Sequence, residues 1–109
     1  MISYFFIESR DPFESRDVQF VIEAATGLKR GDNEVTVFLV QNGVLAARRN
    51  ARGSQLGSLA EAGVRLLADD FSLQERGIDP AELASGVELS TIDALVDALV
   101  GENTRAIWH

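Results

Sequence analysis

Apolar residues in this chain fall into two kinds of run that alternate from one end to the other. Residues 3–8 (SYFFIE), 35–40 (VTVFLV), 64–68 (VRLLA), 87–89 (VEL) and 104–108 (TRAIW) are short and rich in β-branched and aromatic side chains, which predicts strands. The run 35–40 is apolar at nearly every position. A strand covered by helices on both faces has this character, and such strands belong to parallel sheets. Between the strands the spacing turns helical. From Ser15, a predicted N-cap, the residues Val18, Val21, Ile22, Ala25 and Leu28 form one stripe that stops before Gly31. Asn42-Gly43 opens a helical region running to about Arg49; Gly53 interrupts it, and residues 54–63 (SQLGSLAEAG) resume it with Leu56, Leu59 and Ala60 inward. Residues 70–76 predict a short helix closed by Gly77, with Pro80 just beyond. A turn follows at 81–86, and then Ser90 or Thr91 caps a helix whose Ile92, Leu95, Val96 and Leu99 form a stripe. The stretch 9–14, with Pro12, reads as a loop.

This alternation predicts right-handed crossovers and an α/β fold: a three-layer α/β/α sandwich with a mainly parallel five-stranded sheet, in a single domain over residues 1–109. In such sheets ligands sit outside the carboxyl ends of the strands. That rim comprises Glu8, Ser9 and Arg10; Gln41 and Asn42; Asp69 and Asp70; Ser90 and Thr91; Trp108 and His109. Ser9, Arg10, Asn42, Asp69, Asp70 and Ser90 are its ligand-pocket candidates.

Composition narrows the partners. The net charge is −7, with 17 acids against 10 bases, and such a surface repels phosphate backbones, so no nucleic-acid partner is expected. Arg48, Arg49 and Arg52 crowd one segment; they read either as a solvated face paired with nearby acids or as a partner-docking patch. No run approaches the roughly 20 apolar residues of a membrane span. The apolar N-terminus is short and lacks a basic start, which points to no export signal and a cytoplasmic location. A chain this short buries only roughly 60–70% of its unfolded surface. Its modest core and the aliphatic helix faces favour an oligomer.

The chemistry that remains is sparse. There is no cysteine, hence no disulfide, thiolate metal site or thiol nucleophile. Neither a P-loop nor a GxGxxG turn is present, and no nucleotide or other cofactor is expected. The one histidine, His109, is the last residue and is expected to fray rather than act. Asp69, Asp70, Glu8 and Asp11 are able to share a hard cation if they converge on the rim. Adding Ser90 or Thr91 gives some likeness to a phosphorylated receiver domain. That pattern fails because no acidic pair follows the first strand and the sole lysine is Lys29. The plainer reading is that Asp69 or Asp70 caps the short helix behind it. Paired aspartates also suit acid–base catalysis, but no second reactive group accompanies them.

The order of these elements, with the segments VTVFLVQNGVLAA (35–47) and VRLLADDFSLQERGI (64–78), resembles the DsrE/DsrF family of small sulfur-relay proteins. The likeness includes the polar loop after the first strand, the NGV after the second, and Leu73, Arg76, Gly77 and Ile78 in an L-x-x-R-G-I/V pattern. In sulfur-carrying members a cysteine just after the third strand takes sulfur as a persulfide, and the same spacing puts Asp69 at that position here. The resemblance therefore implies a non-catalytic, cysteine-free member associated with sulfur relay. It would form trimers or hexamers, either with itself or with cysteine-bearing paralogues. The alternative is a small-molecule or cation-binding module built on the rim around Asp69 and Asp70.

Overall fold

Five strands form one parallel sheet in the computed structural model of the chain, which describes residues 2–11, 13, 18–51 and 56–109. They are β1 (Ser3–Glu8), β2 (Glu34–Leu39), β3 (Arg65–Asp69), β4 (Val87–Ser90) and β5 (Thr104–Trp108), in the order β4-β3-β2-β1-β5. Five of the six residues of β2 are buried, because it lies mid-sheet with both faces covered. The helices are α1 (Val18–Arg30), α2 (Leu56–Glu61), α3 (Asp70–Glu75) and α4 (Ile92–Leu99), with a 3-10 turn at Gln41–Ala47 and another at Pro80–Glu82. The predicted cap at Ser15 and the interruption at Gly53 lie outside the described residues.

Strand alternation divides the core in two. Phe6, Val37, Leu39, Leu66 and Ala68 meet α1, the 41–47 turn, α2 and Leu73 of α3 in the larger cluster. Ile7, Phe38, Val40 and Leu67 point the other way, where Leu95 of α4 completes a smaller cluster. The first four strands step across the sheet in one direction, and the chain then returns to set β5 beside β1. Among the described residues, that reversal leaves α4 as the one helix on the second face. It buries Leu95 and half-buries Leu99, while Ile92, Val96 and Val100 stay exposed. The edge strand β5 likewise leaves Trp108 64% exposed.

The region after β2 differs from its expected form. It is a 3-10 turn ending at Ala47, not an α-helix reaching Arg49, because Arg48 turns extended and bridges Leu83. Gly43 is required inside this turn: a Cβ there would collide with the carbonyl oxygen of Glu8.

Candidate functional site at the carboxyl ends of the strands

The two aspartates that end β3 have different environments. Asp69 is only 2% exposed and is the N-cap of α3: its Oδ2 accepts hydrogen bonds from the backbone N–H and the hydroxyl of Ser72, at 3.0 and 2.7 Å. The Ser72 hydroxyl in turn accepts from the backbone N–H of Gln41, 2.8 Å away, which helps hold Gln41 at a φ of +50°. Arg76 spans the same gap, donating from Nε and Nη2 to Asn42 Oδ1 and from Nη1 to the Ser72 carbonyl. Gly77 then leaves the helix at a φ of +66°, and the Ile78 N–H returns to the Leu73 carbonyl. Asp69, Ser72 and Arg76 thus lock the end of β2 to the start of α3. Asn42, a ligand candidate by sequence, is occupied in this lock. Ser72 carried no sequence signal beyond its spacing from Asp69, and Arg76 only its place in the L-x-x-R-G-I/V pattern.

Asp70 is half-buried, and with Asp69, Phe71, Thr91, Ile92 and Asp93 it lines an open hollow of about 410 Å³ between the ends of β3 and β4. Thr91 caps α4 by accepting from the Ala94 N–H. Asp69 Oδ1 is buried and has no hydrogen-bond partner among the described residues. Ser90 pairs with Asp69 in the sheet register but is not part of the hollow's lining.

The other end of the rim is organised by β1 and β5. Glu8, 2% exposed, meets His109, whose Nδ1 lies 2.7 and 2.9 Å from the two carboxylate oxygens. The expectation that His109 frays is therefore corrected. Its backbone is held from both sides: its N–H donates to the Ile7 carbonyl and its carbonyl accepts from the Ser9 N–H and hydroxyl. Burial raises the Glu8 carboxyl above its ordinary range, against the opposing hydrogen bond and charge of His109 and the N–H and charge of Arg10. The cavity beside Glu8 and Arg10 is about 10 Å³, at most the space of one water. Among the described residues, the hollow lined by Asp69 and Asp70 does not include Ser9 or Arg10 in its lining.

The proposed gathering of acids does not form. Asp11 accepts from the Phe13 N–H, Glu8 is taken by His109, and β2 separates β1 from β3. Among the described residues no three His, Cys, Asp or Glu side chains are grouped to hold a metal ion. Of the arginine cluster, Arg48 is half-buried with Nε donating to the Leu45 carbonyl, Arg49 is exposed, and Arg52 lies outside the described residues. Among the described residues no helix is long and apolar enough to cross a membrane.

The architecture has close counterparts among solved structures. YchN from E. coli superposes with a TM-score of 0.85 at 20% identity, covering 98% of this chain and all of that one. The protein of unknown function MTH1491 from Methanobacterium thermoautotrophicum gives 0.78 at 24% identity, covering 98% and 97% of the two chains. Both show the fold. No curated protein matches the chain. The sequence pattern of the DsrE/DsrF-like family matches residues 3–103, nearly the whole length, and the chain belongs to that family.

Proposed function

We propose that this chain is a non-catalytic DsrE-like protein, an oligomer-forming subunit or accessory of a cytoplasmic sulfur-relay assembly. One observation carries the reading. Persulfide transfer needs a thiolate that attacks and then carries sulfur. This chain has no cysteine, and Asp69, at the position the family resemblance gives to that residue, is committed to capping α3. A carboxylate forms no bond to sulfane sulfur, so the strand end has kept its architecture and lost the group that reacts.

The second face of the sheet supports the subunit role. Ile92 and Val96 of α4 and Val100 at its C-cap recur at every fourth residue, exposed and continuous with the stripe that packs on the sheet. An apolar ridge of this kind on so small a domain suits burial against a chain of the same fold, another copy or a cysteine-bearing paralogue, in a trimer or hexamer. Native purification from the source cells, followed by intact-complex mass spectrometry, tests both parts. Recovery with a cysteine-bearing paralogue is the expected result. A monomer that transfers sulfur unaided would overturn the reading.

A second reading has its own observation. The open hollow between β3 and β4, lined by Asp69, Asp70 and Asp93, favours a small-molecule or cation site at this part of the rim.

A further inference from the structure

We propose that the groove at the amino ends of the strands, on the α4 face, binds a zwitterionic small molecule of the α-amino acid class with an apolar side chain. It lies at the opposite end of the sheet from Asp69 and goes beyond both readings above. The groove follows from the lengths of the elements. Helix α4 starts at the carboxyl end of β4 and its eight residues span about 12 Å, whereas the six residues of β2 span about 20 Å. The amino-terminal part of the second face is left open past Ala98, and a groove of about 430 Å³ lies there.

Strand register builds its floor. Arg65, Thr36 and Phe5 are side-by-side partners on β3, β2 and β1; Glu34, Ser3 and Thr104 form a second row nearer the strand starts. Alternation puts all of them on the side of Ile7, Phe38 and Leu67, and all of them line the groove. Thr36 is the informative member. It is only 8% exposed, and its hydroxyl has no hydrogen-bond partner among the described residues. Among those residues Asp69 Oδ1 is the side-chain atom both unpaired and sealed from solvent, so the unpaired Thr36 hydroxyl is not sealed. The opening on its face is the groove. A hydroxyl buried to this degree without a partner is stabilised when a guest supplies one.

Charge selects the guest. Lys29 reaches the groove from the end of α1: a Cβ at Gly63 would lie 3.0 Å from its Cε, which sets its ammonium beside the start of β3 and Arg65. Among the described residues Lys29 Nζ donates to the Asn33 carbonyl and Arg65 Nη2 to Glu88, each at 3.4 Å, so both keep donors for a carboxylate. Glu34 Oε2 accepts from the Ser3 hydroxyl, and its second oxygen remains for an ammonium. A simple cation would meet two bases here, and a phosphate would meet Glu34. A molecule carrying both signs finds a partner at each end. Glu34 and Arg65 are diagonal neighbours with backbones roughly 8 Å apart, a gap their side chains close around the two charged groups of one α-carbon. The Thr36 hydroxyl lies between them, and Phe5 and Ala98 offer carbon surface to an apolar side chain.

Titration of the chain with L-valine, L-leucine and L-phenylalanine, followed by amide NMR shifts at residues 3–5, 34–36 and 63–65, tests this. The tightest of the three is then compared with its methyl ester, which lacks the carboxylate, with the matching acid that lacks the ammonium, and with inorganic phosphate. Saturable shifts are expected with the amino acid, and binding weaker by about tenfold with each control. Thr36→Val keeps the shape of the side chain and breaks no hydrogen bond among the described residues. Its Tm should therefore hold or rise while binding weakens by about three- to tenfold. Arg65→Gln, at an exposed position, should weaken binding by roughly fivefold with the fold unchanged. The proposal is overturned if no amino acid gives saturable shifts at these amides, if a control binds as tightly as the amino acid, or if either substitution leaves the affinity unchanged. A Thr36→Val protein that melts lower would also overturn it, because the hydroxyl would then serve the fold and not a guest. None of these outcomes touches the subunit role, which concerns the exposed side of α4.

Discussion

Asp69 and His109 sit on the same rim, yet only one was readable in advance. An aspartate directly before a short helix announces a cap, because the partner N–H lies three residues away in the same local segment. His109 finds Glu8 across 101 positions, through the pairing of β5 with β1, and no local pattern encodes which strands become neighbours. The pair makes a pH prediction. Desolvation raises the Glu8 carboxyl above its ordinary value of 4.5, so the protonated form favours the fold. Its contribution is complete below the unfolded value and declines as pH rises through the folded one. Chemical denaturation across pH 4 to 8 should show the stability of wild type relative to Glu8→Gln falling as pH rises; a rising difference would mean that the His109 contact outweighs desolvation. Two further residues carry stability by contact alone. Ser72→Ala removes a buried hydroxyl that accepts from the Gln41 N–H and donates to Asp69, leaving the N–H unmatched and Asp69 with one bond fewer, for a loss of about 1–3 kcal/mol. Gly43→Ala drives a methyl into the Glu8 carbonyl oxygen, and a backbone obstacle relaxes poorly, so a loss of about 2 kcal/mol or more and a Tm lower by roughly 10 °C are expected in thermal melts.

Among the elements, α4 shows where periodicity stops being informative. The spacing of Ile92, Leu95, Val96 and Leu99 identifies a helix with an apolar face. It does not say that one narrow sheet face covers only the Leu95–Leu99 side of that stripe. The 41–47 turn shows the complementary limit. Its apolar residues and the NGV signal located it, but the tight 3-10 winding follows from Gly43 pressing against β1, a tertiary contact. Single truncations in α4 separate its two sides. Leu95→Ala opens a void against Ile7, Phe38 and Leu67 and should lower stability by about 2–4 kcal/mol. In the dispersed protein Val96→Ala, at an exposed position, should change stability by less than about 0.5 kcal/mol. Denaturant titrations of the two variants at low protein concentration check the contrast, and equal losses would mean that Val96 packs within its own chain.

For the whole molecule, the sheet order decides what remains open. Stepping from β1 to β4 in one direction collects α1, α2 and α3 on one face, and the return to β5 gives the other face, among the described residues, one helix of eight residues. The fold class and the number of strands followed from the alternation of apolar runs. The asymmetry did not, because the order of strands is a global property. An exposed ridge of Ile92, Val96 and Val100, on a domain of 109 residues with a modest core, should couple folding to association. If the native state is an oligomer, mass action stabilises it as concentration rises, whereas a monomer's Tm is fixed. Melting curves over a hundredfold range of concentration should therefore shift upward for the wild type and stay constant for V96Q/V100Q. An upward shift that persists in the variant would move the interface off α4. A constant Tm in the wild type would leave the chain a monomer, and an accessory role would then have to proceed through a partner's surface.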